Sequence, residues 1–408
     1  MNRAYRILTA GVFINLCLGV LYAWSVISKA LVSDLGWSAT EAGMPYTISV
    51  VTFALGMVVA GVLQDRMGPR LMAIAGAGMV GTGMLLSSFA TTPVMLMITF
   101  GLLVGTGIGF TYSCLSPTAM KWFHPSKKGM VNGLLAGGFG IAPLFLAPLS
   151  TALIGNFGIN QTFLILGIGV LLISIPLAFT IVTPAADYKP EAPAGYQEKA
   201  KSPAYNFTWN EIVKTPQFYM MFVAFAFAAS AGVMLIGNIA NIAALQGNIS
   251  NAAMLVSILA VANTLGRIFM GMLSDKIGRT QTLVLAIAIQ TLNMVLFPMY
   301  TTMISFIGGA VLAGIGYGAL LSVFPSLTAD YYGIKNYGSN FGVLFLAWGA
   351  SGFMGPVMAG YIFDTTGSFG MAYMISAVML VIAGIMALMV KPVDVEAMSA
   401  KGLLSNAA

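Results

Sequence analysis

The chain has 408 residues, 58% of them hydrophobic and only 7% charged, with a formal net charge of +6 and a mean hydropathy of +0.90. A water-soluble domain carries about 25% charged residues to cover its surface, so the main solvent of this chain must be lipid. The basic residues are scattered between apolar runs rather than gathered on one stripe, which sets aside a nucleic-acid partner.

Arg3 and Arg6 lead into a first apolar run near 6–30, too long for the core of a cleavable signal and therefore expected to remain as a span. Runs long enough to cross a bilayer then fall near 40–62, 70–90, 93–118, 129–155 and 161–182. A polar stretch, 183–214, separates them from six more runs near 216–241, 251–272, 281–299, 303–329, 337–362 and 369–390, followed by a short polar tail from Lys391. This predicts an all-α membrane protein with twelve spans. Its parts are an N-terminal six-helix bundle (1–182), a central loop (183–214), a C-terminal six-helix bundle (215–390) and a tail (391–408). Placing the N-terminus inside puts 16 of the 18 basic residues on the cytoplasmic side, so both termini and the central loop are expected there, in the inner membrane of the cell. The two exceptions are Lys29, near the outer end of span one, and Arg267, inside span eight. Cys17 and Cys114 lie within apolar runs and are not expected to pair.

The two halves share one plan. Gly61-Val-Leu-Gln-Asp65-Arg66-Met-Gly68-Pro-Arg70 after span two returns as Gly271-Met-Leu-Ser-Asp275-Lys276-Ile-Gly278-Arg279 after span eight, 210 residues later. Trp122-Phe123 with Gly129 and Gly133 recurs as Tyr331-Tyr332 with Gly338 and Gly342, at an offset of 209. In the first repeat, glycine permits a tight turn between helices. Asp65 and Asp275 can pair with Arg66, Arg70, Lys276 or Arg279, or cap a neighbouring helix, forming a latch on the cytoplasmic side. The basic residues can equally be plain topology anchors.

Arg267 lies well inside its span, where a cation costs at least about 2.5–3.5 kcal/mol and usually faces a polar cavity. No acidic residue lies deep enough in any span to neutralise it; Asp330 and Asp364 sit at span ends. An unpaired guanidinium is a receptor for a carboxylate, which it binds through two parallel hydrogen bonds. The alternative is a structural arginine bonded to helix carbonyls. Asn263, four residues earlier on the same helix face, can orient the guanidinium, touch a substrate, or join two helices. Glycine-rich runs such as Gly76 to Gly83 lie inside apolar runs and follow no strand, so helix packing explains them. His124 is the sole histidine, no metal-ligand cluster or catalytic triad can be assembled, and neither a metal nor an enzyme activity is expected.

The doubled turn motif resembles the signature of the major facilitator superfamily, whose fold pairs two pseudo-symmetric six-helix halves. Three segments are similar to its oxalate/formate antiporter and monocarboxylate transporter branch: Gly19-Val-Leu-Tyr22-Ala-Trp24-Ser25, Thr215-Pro216-Gln217-Phe218-Tyr219, and Arg267 followed by Gly271 and Ser274-Asp275-Lys276-Ile277-Gly278-Arg279. The resemblance implies alternating access to a site between the halves, in a cavity lined by spans one, four, ten and eleven. It places Arg267 on the branch's carboxylate-binding arginine, Tyr22 and Tyr112 on cavity tyrosines, and Tyr317 and Phe345 on cavity tryptophans of the antiporter. Where the antiporter has a lysine in span eleven, this chain has Trp348. One cation balances one carboxylate, so a short monocarboxylate such as lactate or pyruvate is the expected substrate. Animal monocarboxylate transporters carry an aspartate at Asn263 and a lysine near Val26; Lys29 lies three residues too late. Those groups are the usual proton carriers of that family, so a coupled proton would have to travel with the substrate carboxylate or through another group. Symport with a proton as the coupling ion is still the first expectation and anion exchange the second, without any cofactor and with the monomer as the functional unit. A non-transporting membrane sensor would need a larger output domain than 183–214, and a buried arginine disfavours export of hydrophobic cations.

Overall fold

The computed structural model describes residues 3–185, 187–190, 205–249, 253–400 and 403–404, and among them no strand occurs. Among the described residues, eleven helices are long and apolar enough to cross a membrane. We number the rods α1 (Arg3–Leu35), α2 (Ala39–Met67), α3 (Pro69–Ser87), α4 (Pro93–Met120), α7 (Pro216–Gly247), α8 (Ala253–Ile277), α9 (Arg279–Leu296), α10 (Met303–Tyr332), α11 (Tyr337–Thr366) and α12 (Gly370–Met389). The remaining helix, Lys128–Ala178, has 51 residues, about 77 Å at 1.5 Å per residue and more than twice the thickness of a hydrocarbon core. It breaks at Gly158, whose φ of 79° and ψ of 171° only glycine adopts without strain, giving two arms, α5 (128–157) and α6 (159–178). Twelve spans result, as the apolar runs predict.

Local chemistry sets the ends of the rods. Ser38 and Glu41 form a reciprocal cap at the start of α2, and Thr92, Thr215 and Thr302 accept a backbone N–H at the starts of α4, α7 and α10. The two turn motifs bend alike: Gly68 (φ 86°) and Gly278 (φ 104°) close α2 and α8 and open α3 and α9. Within α1 the backbone tightens to a 3₁₀ turn over Gly19–Ala23, and within α4 it widens to a π-helical stretch over Met97–Val104. Neither departure shows in the hydropathy, because both sequences stay apolar throughout.

Two compact units form, and their borders depart from the sequence halves in two places. The first gathers described residues of 1–124, 137–196 and 335–343, and the second those of 125–136, 197–334 and 344–408. The opening turns of α5 therefore pack in the second unit and the opening turns of α11 in the first. The internal repeat extends to this packing. In the second unit a Cβ on Gly129 would fall on the Gly271 carbonyl, and one on Gly133 on the Arg267 carbonyl. In the first unit a Cβ on Gly338 would fall on the Gln64 amide, and one on Gly342 would stand 2.7 Å from the Met57 carbonyl oxygen. A Gly271→Val variant is expected to lose on the order of 1–3 kcal/mol through overpacking. That would appear as an unfolding temperature several degrees lower in detergent; an unchanged temperature would contradict this contact.

Part of the central loop, 191–204, lies outside the described residues. The segment leading from it into α7 is anchored rather than free: Glu211 accepts from the Thr208 backbone and hydroxyl and from Tyr205, and the Phe207 N–H donates to the Tyr332 carbonyl. A short helix, Val395–Ala400, lies in the segment read from the sequence as a short polar tail.

Candidate substrate-binding site

Arg267 and Asn263 sit one turn apart on α8. Gly314 and Gly318 on α10 allow the two helices to touch there: Cβ atoms on these glycines would meet the backbone of Leu259, Asn263 and Arg267. Arg267 has no exposed surface at all. Its Nε donates to Asn263 Oδ1 at 3.1 Å and its Nη1 to the Ala136 carbonyl of α5 at 2.7 Å, while Nη2 is buried without a hydrogen-bond partner. Among the described residues no carboxylate pairs with it. One nitrogen thus holds a helix carbonyl, as a structural arginine would, and another is unspent. The guanidinium is enclosed rather than set on an open cavity wall. Because Nε–H can only donate, the Asn263 amide must turn its oxygen to the arginine, and Asn263 serves here to orient it.

Tyr317, Phe345 and Trp348 come together in the same unit. The Trp348 Nε1–H donates to the Tyr317 hydroxyl at 2.8 Å, and the rings of Phe345 and Trp348 stack at 4.9 Å with 22° between planes. Gly232 on α7 leaves room for the Tyr317 ring. Phe225, which the sequence did not single out, extends the aromatic group by an edge contact with Phe345 at 6.3 Å and a stack on Phe324 at 4.3 Å.

Tyr22 and Tyr112 lie in the first unit, both half-buried, against one ring that sequence reasoning missed, Phe139. Tyr22 meets it at 5.1 Å and Tyr112 at 5.6 Å, both nearly edge-on, and Phe53 completes the group 5.6 Å from Tyr112. Two close helix crossings position them. A Cβ on Gly19 would collide with Ala142, which brings the 3₁₀ turn of α1 onto α5, and Gly109 lets α4 rest on the Phe53 and Met57 backbone of α2. One Phe among the chain's 25, most of them in apolar runs, carries no sequence signature.

The turn motifs behave unequally. Arg279 Nη1 donates to Asp275 and to Ser274, both at 2.6 Å, and its Nε to Asp330 at 2.9 Å. Lys128 joins through Asp330 at 2.7 Å. Asp275 also accepts the N–H groups of Gly129 and Met130 at 2.9 and 2.8 Å, capping the start of α5 and facing its positive dipole end. Two cations and two anions thus balance within one unit. Lys276, Arg66 and Arg70 are exposed and make no ion pair among the described residues, and the side chain of Asp65 lies outside them. Lys128 and Asp330 were missed as members. The available signal for Asp330 is that the repeat places it opposite Lys121, a change of sign between otherwise matching copies.

Two units of long apolar helices, a turn motif present in both halves and a buried cation with no counter-ion among the described residues describe a multi-pass membrane transporter. The model of the Major Facilitator Superfamily matches residues 8–244 and 227–404, and the chain belongs to that family. Among its relatives, the uncharacterized MFS-type transporter YhjX of Escherichia coli (strain K12) is 29% identical over 81% of each chain. The oxalate:formate antiporter of Oxalobacter formigenes is 27% identical over 96% of this chain and 92% of its own. Human monocarboxylate transporter 2 is 27% identical over 86% and 76%. A crystal structure of the E. coli fucose:proton symporter FucP, in a variant form, shares the fold, with a TM-score of 0.73 at 13% identity over 95% of this chain and 98% of that one. These relatives are transporters and not enzymes.

Proposed function

We propose that the chain carries a short monocarboxylate, of the L-lactate or pyruvate kind, across the cell's inner membrane by alternating access and in symport with a proton. The observation that carries this reading is Arg267: buried, without a carboxylate partner, with its Nη2 unspent. A guanidinium in that state is stabilised by an anionic ligand that offers two acceptor oxygens. Relatives named for oxalate and formate and for monocarboxylates support the class of cargo. Trp348 and Phe345 supply apolar surface rather than a second cation, which favours one carboxylate with a small alkyl group over a dicarboxylate. With substrate bound the site is neutral; empty, it keeps a buried charge that opposes reorientation unless a proton-linked rearrangement relieves it. The protein acts as a monomer with both termini in the cytoplasm. A second reading, exchange of one anion for another, is favoured by Asn263, which holds Arg267 with an amide where a titratable carboxylate would offer a proton site.

Proteoliposomes loaded with the purified protein and given an inward proton gradient are expected to accumulate lactate, and to lose it when a protonophore is added. Uptake that ignores the gradient but needs an internal anion would replace symport with exchange. No movement of lactate, pyruvate or oxalate under either condition would overturn the substrate class.

A further inference from the structure

The α5 segment 128–136 is tied to α8 at three levels along one face of that helix. Asp275 caps the Gly129 and Met130 amides, Gly129 and Gly271 meet backbone to backbone, and Arg267 holds the Ala136 carbonyl while Gly133 presses on the Arg267 carbonyl. Ala136 is also the last α5 residue of the second unit; Gly137 belongs to the first. The repeat supplies an internal control. Met57, 210 residues before Arg267, meets Gly342 by the same glycine contact with an apolar side chain. The helix crossing itself therefore needs no guanidinium, and the bond from Arg267 to Ala136 is an addition found at one of two equivalent crossings.

From this we infer that the Ala136 carbonyl occupies Arg267 in place of a substrate carboxylate, so that ligand binding and the seating of 128–136 on α8 compete for one guanidinium. The inference rests on the reading of Arg267 as the carboxylate receptor. A carboxylate offers the guanidinium an ion pair and two parallel bonds, where the Ala136 carbonyl offers one bond to a neutral oxygen. The guanidinium is fully enclosed, so presenting its Nη1–Nη2 edge to a ligand requires it to move, and that movement releases the Ala136 carbonyl and with it the segment's innermost tie. Arrival of the substrate thereby weakens the seat of the same segment that Asp275 caps two turns away. Coupling of this kind works through differential contacts in two states, as a ligand-driven shift requires.

Amide hydrogen exchange on the full-length protein in detergent tests this, with L-lactate as the probe. Saturating lactate is expected to speed exchange over 128–136 about tenfold, the factor for losing one hydrogen bond to a charged group. Arg267→Lys, which keeps the charge but not the fork, is expected to show fast exchange there without lactate and no further response. Binding is followed in parallel by calorimetry. Lactate heat with unchanged or slower exchange over 128–136 in the wild type overturns the inference and leaves the substrate reading standing. Absence of binding heat for lactate, pyruvate and oxalate alike overturns both. The wild-type arm decides the matter even where the variant fails to fold.

Discussion

An Arg267→Ala variant is expected to bind lactate and pyruvate weaker by roughly 2–5 kcal/mol, about thirtyfold to several thousandfold in Kd. The side chain is fully buried, makes both of its bonds to neutral oxygens and keeps one nitrogen unspent. Removing it takes away the charge and the planar fork together. Arg267→Lys separates the two: it restores a positive charge but cannot reach Asn263 and Ala136 in the same plane, so it is expected to recover little of the affinity. Equilibrium binding to purified protein reads this directly. Because Asn263, Gly314 and Gly318 fix the local backbone whichever side chain stands at 267, the loss is expected without loss of the folded state, and a melting curve taken beside the titration checks it.

The second large effect concerns Trp348. A dicarboxylate bound at Arg267 would bury its second carboxylate without a partner, at several kcal/mol. Trp348 donates to Tyr317 and stacks on Phe345, so it offers that charge nothing but a ring. Trp348→Lys supplies a cation beside the aromatic group and is expected to raise the ratio of oxalate to lactate affinity by at least about tenfold. Competition of each acid against labelled lactate measures it. A ratio that does not move would separate Trp348 from the bound anion and remove the reason for preferring a monocarboxylate.

The architecture was legible in the sequence wherever it depended on composition and short spacing. The apolar runs, the positive-φ glycines at Gly68 and Gly278, and the matched turn motifs stand out because each depends on a few neighbouring residues. The same holds for Arg267 with Asn263, four apart on one helix. What escaped was set by distant pairing. Arg267 finds Ala136 across 131 positions and Lys128 finds Asp330 across 202, and a backbone carbonyl has no sequence signature at all. Phe139 and Phe53 were hidden among many apolar aromatics, although they are what Tyr22 and Tyr112 pack against. The reassignment of 125–136 and 335–343 was equally invisible. It rests on glycines that read as generic packing until their partners are known.

The most direct test of the account is a calorimetric titration of purified wild-type protein and Arg267→Ala with L-lactate and with oxalate. Saturable lactate binding by the wild type, weaker oxalate binding, and both weakened at least about thirtyfold in the variant is the predicted result. Lactate binding of equal strength in both proteins would contradict the central claim that Arg267 receives the substrate's carboxylate.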